Sequence, residues 1–343
     1  MPDATTPQVA SAVVPRVFSG IQPTGEMHLG NYLGAVRRWV EEQHRHDAIY
    51  CVVDLHAITL PYEPAELPER TRQTAMLLMA AGLDPERCTL FVQSHVHAHT
   101  DLTWLLNCVA TVGELRRMTQ FKDKSEGQES VSVGLFDYPV LMVADIVLYD
   151  TDEVPIGDDQ RQHLELARDV ATRFNNRFGE TFVVPKATFP PVGARIMDLQ
   201  NPTAKMSKSA DSPQGTLLLL DPPDVVTRKI KSAVTDSGTE VRYDPANKPG
   251  ISNLLEIQAA ATGRSIPEIE AEFSGAGYGA FKSAVAESVL ELLRPVQEAY
   301  RKLEADRDEV DRQLGVGAQK ARAIAAGVLE RARAAAGLLP PLT

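Results

Sequence analysis

The sequence predicts an α/β protein in which a doubly wound parallel sheet precedes an all-helical C-terminal part. From residue 16 to about residue 220, short apolar runs alternate with longer amphipathic stretches, a pattern typical of βαβ units and parallel strands. Beyond about residue 236 the strand pattern stops. Long helical periodicities then occupy residues 281–304 and 308–336.

The domain boundaries follow from this change of pattern and from the length of 343 residues, which favours two domains over one. We predict a sheet-containing catalytic domain over residues 16–220 and a helical domain over residues 221–343. Residues 1–15 contain no Lys or Arg and lack the charged start of a signal peptide. We predict that they form a disordered tail.

The composition indicates a globular protein, with 43% hydrophobic and 24% charged residues. The net charge of −11 is unlike that of a basic nucleic-acid-binding domain, so any RNA contact must use local patches. The cysteines, Cys51, Cys88 and Cys108, form no CxxC pair, which argues against a disulfide framework and a zinc ribbon and favours a reducing cytoplasm. No apolar run approaches the ~18 residues of a membrane span, so we expect no membrane association.

Three strands of the sheet can be placed from their apolar runs. Residues 17 and 18 open the first strand, residues 48–53 form the second, and residues 88–92 form the third. A doubly wound, Rossmann-like sheet binds ligands where loops leave the carboxyl ends of its strands. The segments that follow these strands are therefore the places to look for chemistry.

Helices are predicted between the strands, over residues 31–43 and over residues 64–81, with Gly82 as the C-cap of the second. The glycine-rich residues 274–279 follow no strand and precede no dinucleotide-type helix cap. We interpret them as a turn between two helices.

The loop after the first strand has the glycine spacing of a phosphate-binding loop but lacks its lysine. Gly20 and Gly25 stand at the spacing of a P-loop, yet Glu26 occupies the lysine position and would repel phosphate. The helix start at residues 28–31 would aim backbone N–H groups at an anion, and Gly30 would let a nucleotide approach closely. A structural turn with a surface histidine is the alternative.

A second polar cluster contains two lysines interleaved with hydroxyl groups. It consists of Lys205, Met206, Ser207, Lys208 and Ser209. Two ammonium groups on a loop suit a polyphosphate whose charge grows as pyrophosphate leaves. A solvated basic loop would explain the lysines but not their order.

Asp145 is the only charged residue in the apolar helical run over residues 138–149. Met142, Leu141, Leu148 and Tyr149 share its helix face. A buried carboxylate needs donors, and an indole N–H, which only donates, would serve as one. Donors from the protein, or a position on a wet face, are the alternatives.

The alternating histidines His95, His97 and His99 would share one face of a strand and could bind a metal. Thr100 and Asp101, however, resemble a helix start that would break this alternation before a third ligand aligned. We therefore predict no metal site here.

Together, the loop and the lysine cluster resemble the paired HIGH-type and KMSKS motifs of class I aminoacyl-tRNA synthetases. The second motif matches letter for letter, and the first is present as His28, Leu29, Gly30 and Asn31. Further segments are similar to tryptophanyl-tRNA synthetases over most of the chain. They are residues 18–23, 53–59, 113–122, 155–160, 192–197 and 249–255.

This resemblance implies roles for individual residues. The residues implied for ATP are Gln22, Pro23, Thr24, Gly30, Asn31, Lys124, Gly157, Asp158, Asp159, Ile196, Lys205, Met206, Ser207, Lys208 and Ser209. Asp145 would bind the indole N–H of tryptophan, Tyr138 and Gln160 its ammonium group. The ring would lie against Phe18, Met142, Val154 and Ile156. Gln22, Asn31, Lys205 and Lys208 are the implied catalytic residues.

The resemblance also implies the reaction and its participants. Tryptophan would be activated by ATP with Mg²⁺ on the phosphates and passed to tRNA(Trp) by a homodimer whose helical domain binds the anticodon. Asn31 replaces the last histidine of the HIGH-type motif, which removes a cationic imidazole but leaves a hydrogen-bond donor. No cysteine follows Cys108, so we expect neither the iron–sulfur cluster of some relatives nor zinc.

Three other functions share parts of this pattern. A tyrosyl-tRNA synthetase would share the fold, both motifs and a carboxylate in the pocket. A small-molecule nucleotidyltransferase has a similar ATP loop, but the lysine cluster and the helical domain argue against it. A non-catalytic RNA-binding relative is disfavoured by the intact residues 205–209 and Gln22.

Overall fold

The structure is a computed structural model that describes residues 14–23, 26–127, 130–157, 160–189, 195–207 and 212–340. Of the predicted tail over residues 1–15, only Val14 and Pro15 belong to this part of the chain.

The five described strands form one parallel sheet, as predicted. Their order is β3-β2-β1-β4-β5. The chain therefore adds β2 and β3 on one side of β1, and β4 and β5 on the other side. The crevice at the carboxyl ends of β1 and β4 is therefore the topological switch point of the sheet. The strands are β1 (Arg16–Ile21), β2 (Asp47–Val52), β3 (Thr89–Val92), β4 (Glu153–Pro155) and β5 (Lys186–Thr188).

The connections between strands are helical. The predicted helix over residues 31–43 begins earlier, at Leu29, and contains a π-helical segment, Tyr32–Val36. The helix predicted over residues 64–81 is shorter, and Gly82 follows its end with a φ of +115°, a conformation that favours glycine. These helices are α1 (Leu29–Asn31), α2 (Arg37–Glu42), α3 (Asp54–Ala57), α4 (Leu67–Ala80), α5 (Ala98–Asn107), α6 (Val112–Arg117), α7 (Thr119–Ser125), α8 (Val133–Val147) and α9 (Arg161–Phe178).

The described residues after β5 contain helices and no strand. The two long helices that periodicity predicted are present. The turn predicted over residues 274–279 is confirmed only at its start, because the turn covers residues 273–276 and a helix begins at Gly277. These helices are α10 (Pro223–Lys231), α11 (Pro249–Thr262), α12 (Ile266–Glu272), α13 (Gly277–Ala305) and α14 (Arg307–Ala335).

The C-terminal helices pack on the sheet as well as on each other. Gly317 of α14 lies so close to β3 that a Cβ there would be 1.8 Å from the carbonyl oxygen of Leu90. Buried residues of α13 share one apolar cluster with α4 and the start of α14, and those of α14 from Ala318 onward share another with α5 and α8. The division into domains at residue 220 stays a prediction.

The histidines at positions 95, 97 and 99 do not alternate along a strand. β3 ends at Val92, a 3₁₀-helix covers Gln93–His95, and α5 begins at Ala98. In the described part of the chain, no cluster of three His, Cys, Asp or Glu side chains is placed to hold a metal ion. Nor is any described helix both long and apolar enough to cross a membrane.

Candidate active site

A cavity of about 350 Å³ lies at the carboxyl ends of β1 and β4, at the switch point of the sheet. The seven residues predicted to bind tryptophan all line it, together with Gln22 and Lys124 of the predicted ATP site. The seven are Phe18, Tyr138, Met142, Asp145, Val154, Ile156 and Gln160. The structure thus brings together side chains from β1, α7, α8, β4 and the start of α9.

Asp145 projects from α8 into the cavity and is 2% exposed. Its Oδ1 accepts a hydrogen bond from Gln93 Nε2 (2.6 Å) and lies 2.6 Å from His99 Nδ1. Its Oδ2 lies 2.7 Å from His56 Nε2. Protein donors therefore hold the carboxylate, as one of the sequence alternatives anticipated. A carboxylate has about four acceptor positions, so Oδ2 can accept one further hydrogen bond.

The surroundings of Asp145 keep it ionised. Burial alone would raise its pKa, but the adjacent His56 and His99, through charge and hydrogen bonds, lower the pKa below the ordinary aspartate value. An ionised carboxylate only accepts hydrogen bonds. The cavity therefore presents a fixed acceptor to any ligand.

Flat apolar side chains wall the cavity next to this acceptor. Phe18 stacks on Tyr149, with ring centroids 5.6 Å apart and planes 9° from parallel. Val154 and Ile156 are buried, and Met142 packs against the same apolar cluster. An acceptor beside an apolar wall suits an aromatic ring that carries an N–H or O–H group.

Polar groups also line the cavity. The Tyr138 hydroxyl lies 3.0 Å from His163 Nε2, and burial raises the pKa of Tyr138 to about 12. Lys124 Nζ lies 4.8 Å from the centre of the Tyr138 ring, and burial lowers the pKa of Lys124. Gln160 precedes α9, and its backbone N–H donates to the carbonyl of Gly157.

The HIGH-type segment forms the predicted helix start. His28 is the N-cap of α1, where its Nδ1 accepts from the backbone N–H of Asn31 (3.2 Å). The Asn31 Oδ1 in turn accepts from the backbone N–H of His28 (3.3 Å). This capping box occupies the oxygen of the Asn31 carboxamide, so its amino group is the end suited to a ligand.

The lysine cluster begins beside this helix start. A Cβ at Gly30 would lie 3.7 Å from the Cβ of Ile196. Met197 pairs with Lys205 in an antiparallel bridge, and the backbone N–H of Met206 donates to the carbonyl of Ile196 (3.1 Å). Met206 is buried, whereas Lys205 is exposed. The two motifs are neighbours in space, although 174 positions separate Asn31 from Lys205 in the chain.

The remaining predicted site residues divide into two groups. Pro23 is buried next to Gln22, and Gly157 is exposed at the end of β4. Five others lie outside the described residues, namely Thr24, Asp158, Asp159, Lys208 and Ser209.

Comparison with known proteins shows the family to which this chain belongs. The family model of the class I tRNA synthetases (W and Y) matches residues 12–294 of the sequence. Tryptophan–tRNA ligase 2 of Streptomyces avermitilis is 57% identical over 329 residues, covering 95% of this chain and 98% of its own length. The tryptophan–tRNA ligase of Caldanaerobacter subterraneus is 55% identical over 324 residues, covering 94% and 98%. The chain belongs to the tryptophanyl-tRNA synthetase family.

Solved structures of tryptophanyl-tRNA synthetases have the same architecture. That from Mycoplasma pneumoniae is 36% identical, with a TM-score of 0.87 and coverage of 95% of this chain and 98% of its own. That from Campylobacter jejuni, complexed with ADP and tryptophan, is 34% identical, with a TM-score of 0.83 and coverage of 94% and 100%. A tyrosyl-tRNA synthetase from Aeropyrum pernix, 24% identical with a TM-score of 0.64, shares the fold.

The sequence analysis missed several residues of this tryptophanyl-tRNA synthetase pocket. His56 and Gln120 lie in segments that carried the resemblance, so a signal for them was present. The sequence contained no signal that Gln93 and His99 are partners of Asp145, because they lie 52 and 46 residues from it in the chain. The lining residues that were not predicted are Ser19, Gly20, Trp39, Val53, His56, Gln120, Ile146, Pro155 and His163.

Proposed function

We propose that the chain activates L-tryptophan with ATP in this cavity and transfers it to tRNA(Trp). As a member of its family it is a tryptophan–tRNA ligase with ATP as a substrate. The observation that carries the assignment of the site is the buried, ionised Asp145 beside the Phe18 wall.

Asp145 selects the substrate by accepting the indole N–H at Oδ2. The two donors on Oδ1 fix the orientation of the carboxylate, and His56 takes one position of Oδ2. Phenylalanine offers no N–H and would leave this buried oxygen short of a partner. Sites that hydrogen-bond a substrate group reject analogues lacking it by factors on the order of 10⁴–10⁵.

The polar groups of the cavity hold the amino-acid backbone of the substrate. Tyr138 and Gln160 accept from its ammonium group, which leaves the carboxylate directed toward the first motif. Its oxygen attacks the α-phosphorus of ATP, an O–P bond forms, and the bond to the bridging oxygen breaks. Pyrophosphate leaves with that electron pair. Positioning supplies much of the acceleration.

The two motifs hold ATP. Gln22, Pro23, Gly30, Asn31, Ile196, Gly157 and the lysine cluster contact the nucleotide, with Thr24, Asp158 and Asp159. Lys205, Lys208 and Lys124 place positive charge against the phosphates as charge develops on the leaving group. Mg²⁺ accompanies ATP on the phosphate oxygens and adds charge neutralisation there.

In the second step a terminal ribose hydroxyl of tRNA attacks the acyl carbon, and AMP leaves with the electrons of the acyl–oxygen bond. We infer further that the protein is a cytoplasmic homodimer and that residues 221–343 form a separate domain that binds the anticodon. Sedimentation would test whether the protein is a dimer. Aminoacylation of tRNA with an altered anticodon would test whether the protein recognises the anticodon.

Exchange of labelled pyrophosphate into ATP, without tRNA, tests the activation step. It is measured with tryptophan, tyrosine and phenylalanine separately, for the wild type and for Asp145→Asn. Asp137→Asn is the matched control, because Asp137 lies on α8 but outside the cavity and accepts from Asn107. We expect exchange with tryptophan only, lost in Asp145→Asn and kept in Asp137→Asn. Exchange with tyrosine instead would contradict the assignment.

A further inference from the structure

A buried ion pair contacts the residues that follow the lysine cluster in the chain and lies outside the cavity. Lys229 of α10 and Asp221 have side chains 7% and 10% exposed, and Lys229 Nζ lies 2.7 Å from Asp221 Oδ2. Lys229 Nζ also donates to the carbonyl oxygen of Thr216 (2.8 Å). The same Asp221 oxygen accepts from the backbone N–H of Leu218 (3.0 Å). The pair therefore binds residues 216–219, here called the linking segment, at two points.

The linking segment contacts both ATP motifs. Toward the HIGH-type motif, the carbonyl of Leu217 accepts from the backbone N–H of Leu29 (2.8 Å), and Leu218 pairs with His28. Toward the lysine cluster, the hydroxyl of Thr216 donates to the carbonyl oxygen of Ser207 (2.7 Å), one residue before Lys208. The spacing between the two motifs thus depends on where the linking segment lies.

An ion pair at this place requires an explanation, because removing two charges from water is costly and apolar side chains often stabilise a fold as well. The two charges make the contacts to the linking segment directional. A Lys229 ammonium and an Asp221 carboxylate fix named backbone atoms of the linking segment, whereas an apolar pair would let the segment slide. Positioning of reacting groups is sensitive to such shifts, since a displacement of ~1 Å can cost about 100-fold in rate.

We propose that Lys229 and Asp221 are positioning residues for ATP, acting through Thr216 to hold the lysine cluster at a fixed place relative to the start of α1. This inference rests on the proposed function, since it takes both motifs as the ATP site. Neither residue lines the tryptophan cavity, so the effect is specific to the nucleotide.

Three variants test the proposal in the full-length protein. Lys229→Met removes the charge, and because it leaves Asp221 buried without its cation, folding is followed by circular dichroism. Thr216→Val keeps the ion pair and removes only the hydrogen bond to Ser207. Lys282→Met is the matched control, because Lys282 also donates to a backbone carbonyl, that of Ala233, and has no hydrogen bond to either motif or to the linking segment among the described residues.

The readout is pyrophosphate exchange at varied ATP and varied tryptophan, normalised to titrated active sites. We expect Lys229→Met to lower kcat/KM for ATP about 10- to 100-fold and Thr216→Val about 3- to 10-fold. KM for tryptophan stays within about twofold, and Lys282→Met resembles the wild type. A purely structural role would lower the fraction of active sites and leave kcat/KM for ATP per active site unchanged, which would overturn the proposal. Equal losses for ATP and tryptophan, or no effect of Thr216→Val, would also overturn it.

Equilibrium dialysis with labelled ATP alone separates this proposal from the proposed function. If the wild type binds ATP but shows no exchange with tryptophan, the proposed activity fails while the positioning role is still measured. Weaker ATP binding by Lys229→Met and Thr216→Val would then support the positioning role, and equal ATP binding by all variants would overturn it. A wild type that binds no ATP would overturn both.

Discussion

The Oδ1 atom of Asp145 lies 2.6 Å from Nδ1 of His99, and the other ring nitrogen of this histidine lies 2.8 Å from the Tyr149 hydroxyl. Because the carboxylate is ionised, Nδ1 carries the proton and donates to it. The Nε2 atom is hydrogen-bonded to the Tyr149 hydroxyl, so both ring nitrogens of His99 have a partner. These two partners fix the position of the imidazole ring, and the ring orients the carboxylate.

We expect His99→Leu to weaken tryptophan binding about tenfold, because Asp145 loses a donor and can turn. It also leaves the buried Tyr149 hydroxyl without a partner, at a cost of about 1–3 kcal/mol in the free energy of unfolding. Tyr149→Phe is the matched control, since it keeps the bond between His99 and Asp145. Calorimetric titration with tryptophan and urea unfolding provide the two measurements. Equal loss of tryptophan affinity in both variants would contradict the orienting role of His99.

Phe18→Leu is expected to raise KM for tryptophan about tenfold and leave KM for ATP unchanged. The variant removes the flat ring that stacks on Tyr149 and walls the cavity, and aromatic stacking contributes about 0.5–1.5 kcal/mol beyond area burial. Phe174→Leu, a similar change in the core between α9 and Phe182, controls for lost stability. Pyrophosphate exchange measures both constants. A KM for tryptophan that rises as much in Phe174→Leu would mean that the effect is not local to the cavity.

The ion pair between Glu114 and Arg173 predicts a component of stability that depends on pH. The hydrogen bond from Arg173, and then those from Thr111, lower the pKa of Glu114 from 4.5 to about 2. Since the folded-state pKa is lower, the pair stabilises the fold above the unfolded-state pKa and this contribution is lost as the pH falls through 2. With solvent screening it amounts to about 1 kcal/mol.

Urea unfolding at pH 7, 4 and 3 checks this prediction. Glu114→Gln is expected to lower the free energy of unfolding at pH 7. At pH 3 the variant and the wild type are expected to differ less in free energy of unfolding. A difference that stays constant with pH would show that the carboxylate charge is not the cause.

Two glycines of α14 predict opposite effects of the same substitution. A Cβ at Gly317 would lie 1.8 Å from the carbonyl oxygen of Leu90, whereas a Cβ at Gly315 would meet nothing within 4 Å. Gly317→Ala must displace α14 from β3, so we expect a loss of several kcal/mol, as for overpacked cores. Gly315→Ala is expected to stabilise by about 0.5–1 kcal/mol, the usual gain of alanine over glycine in a helix. Thermal unfolding distinguishes them, and equal melting temperatures would refute the contact.

The sequence was sufficient for β2 and β3 because each lies in a largely apolar run, whereas β4 (Glu153–Pro155) and β5 (Lys186–Thr188) are three-residue strands of mixed polarity and were not predicted. Residues 48–53, for example, correspond to β2 within one residue. The π-helical segment Tyr32–Val36 was not predictable, since π-helical turns are rare and are short interruptions of longer helices. The extent of α4 differs at its start, where residues 64–66 form a turn instead.

The candidate site was predictable where residues follow a strand or lie in a recognisable motif. Asp145 stood out because a charge in an apolar helix is unusual. Its partners did not, because a single Gln93 or His99 has many local roles and only tertiary packing brings it within 2.6 Å of a carboxylate. The ion pair of Lys229 and Asp221 was missed for the same reason.

The contact between α14 and β3 has a consequence for biosynthesis. β3 is the edge of the described sheet, and hydrogen bonds from Lys320 to Pro85 and from Arg322 to His95 join residues 235 and 227 positions apart. At about 5–20 residues per second, a ribosome makes this strand ~10–50 s before the helix that covers it. An uncovered edge strand can pair with another nascent chain. For that interval the growing polypeptide exposes an edge strand that only the last helix of the chain will cover.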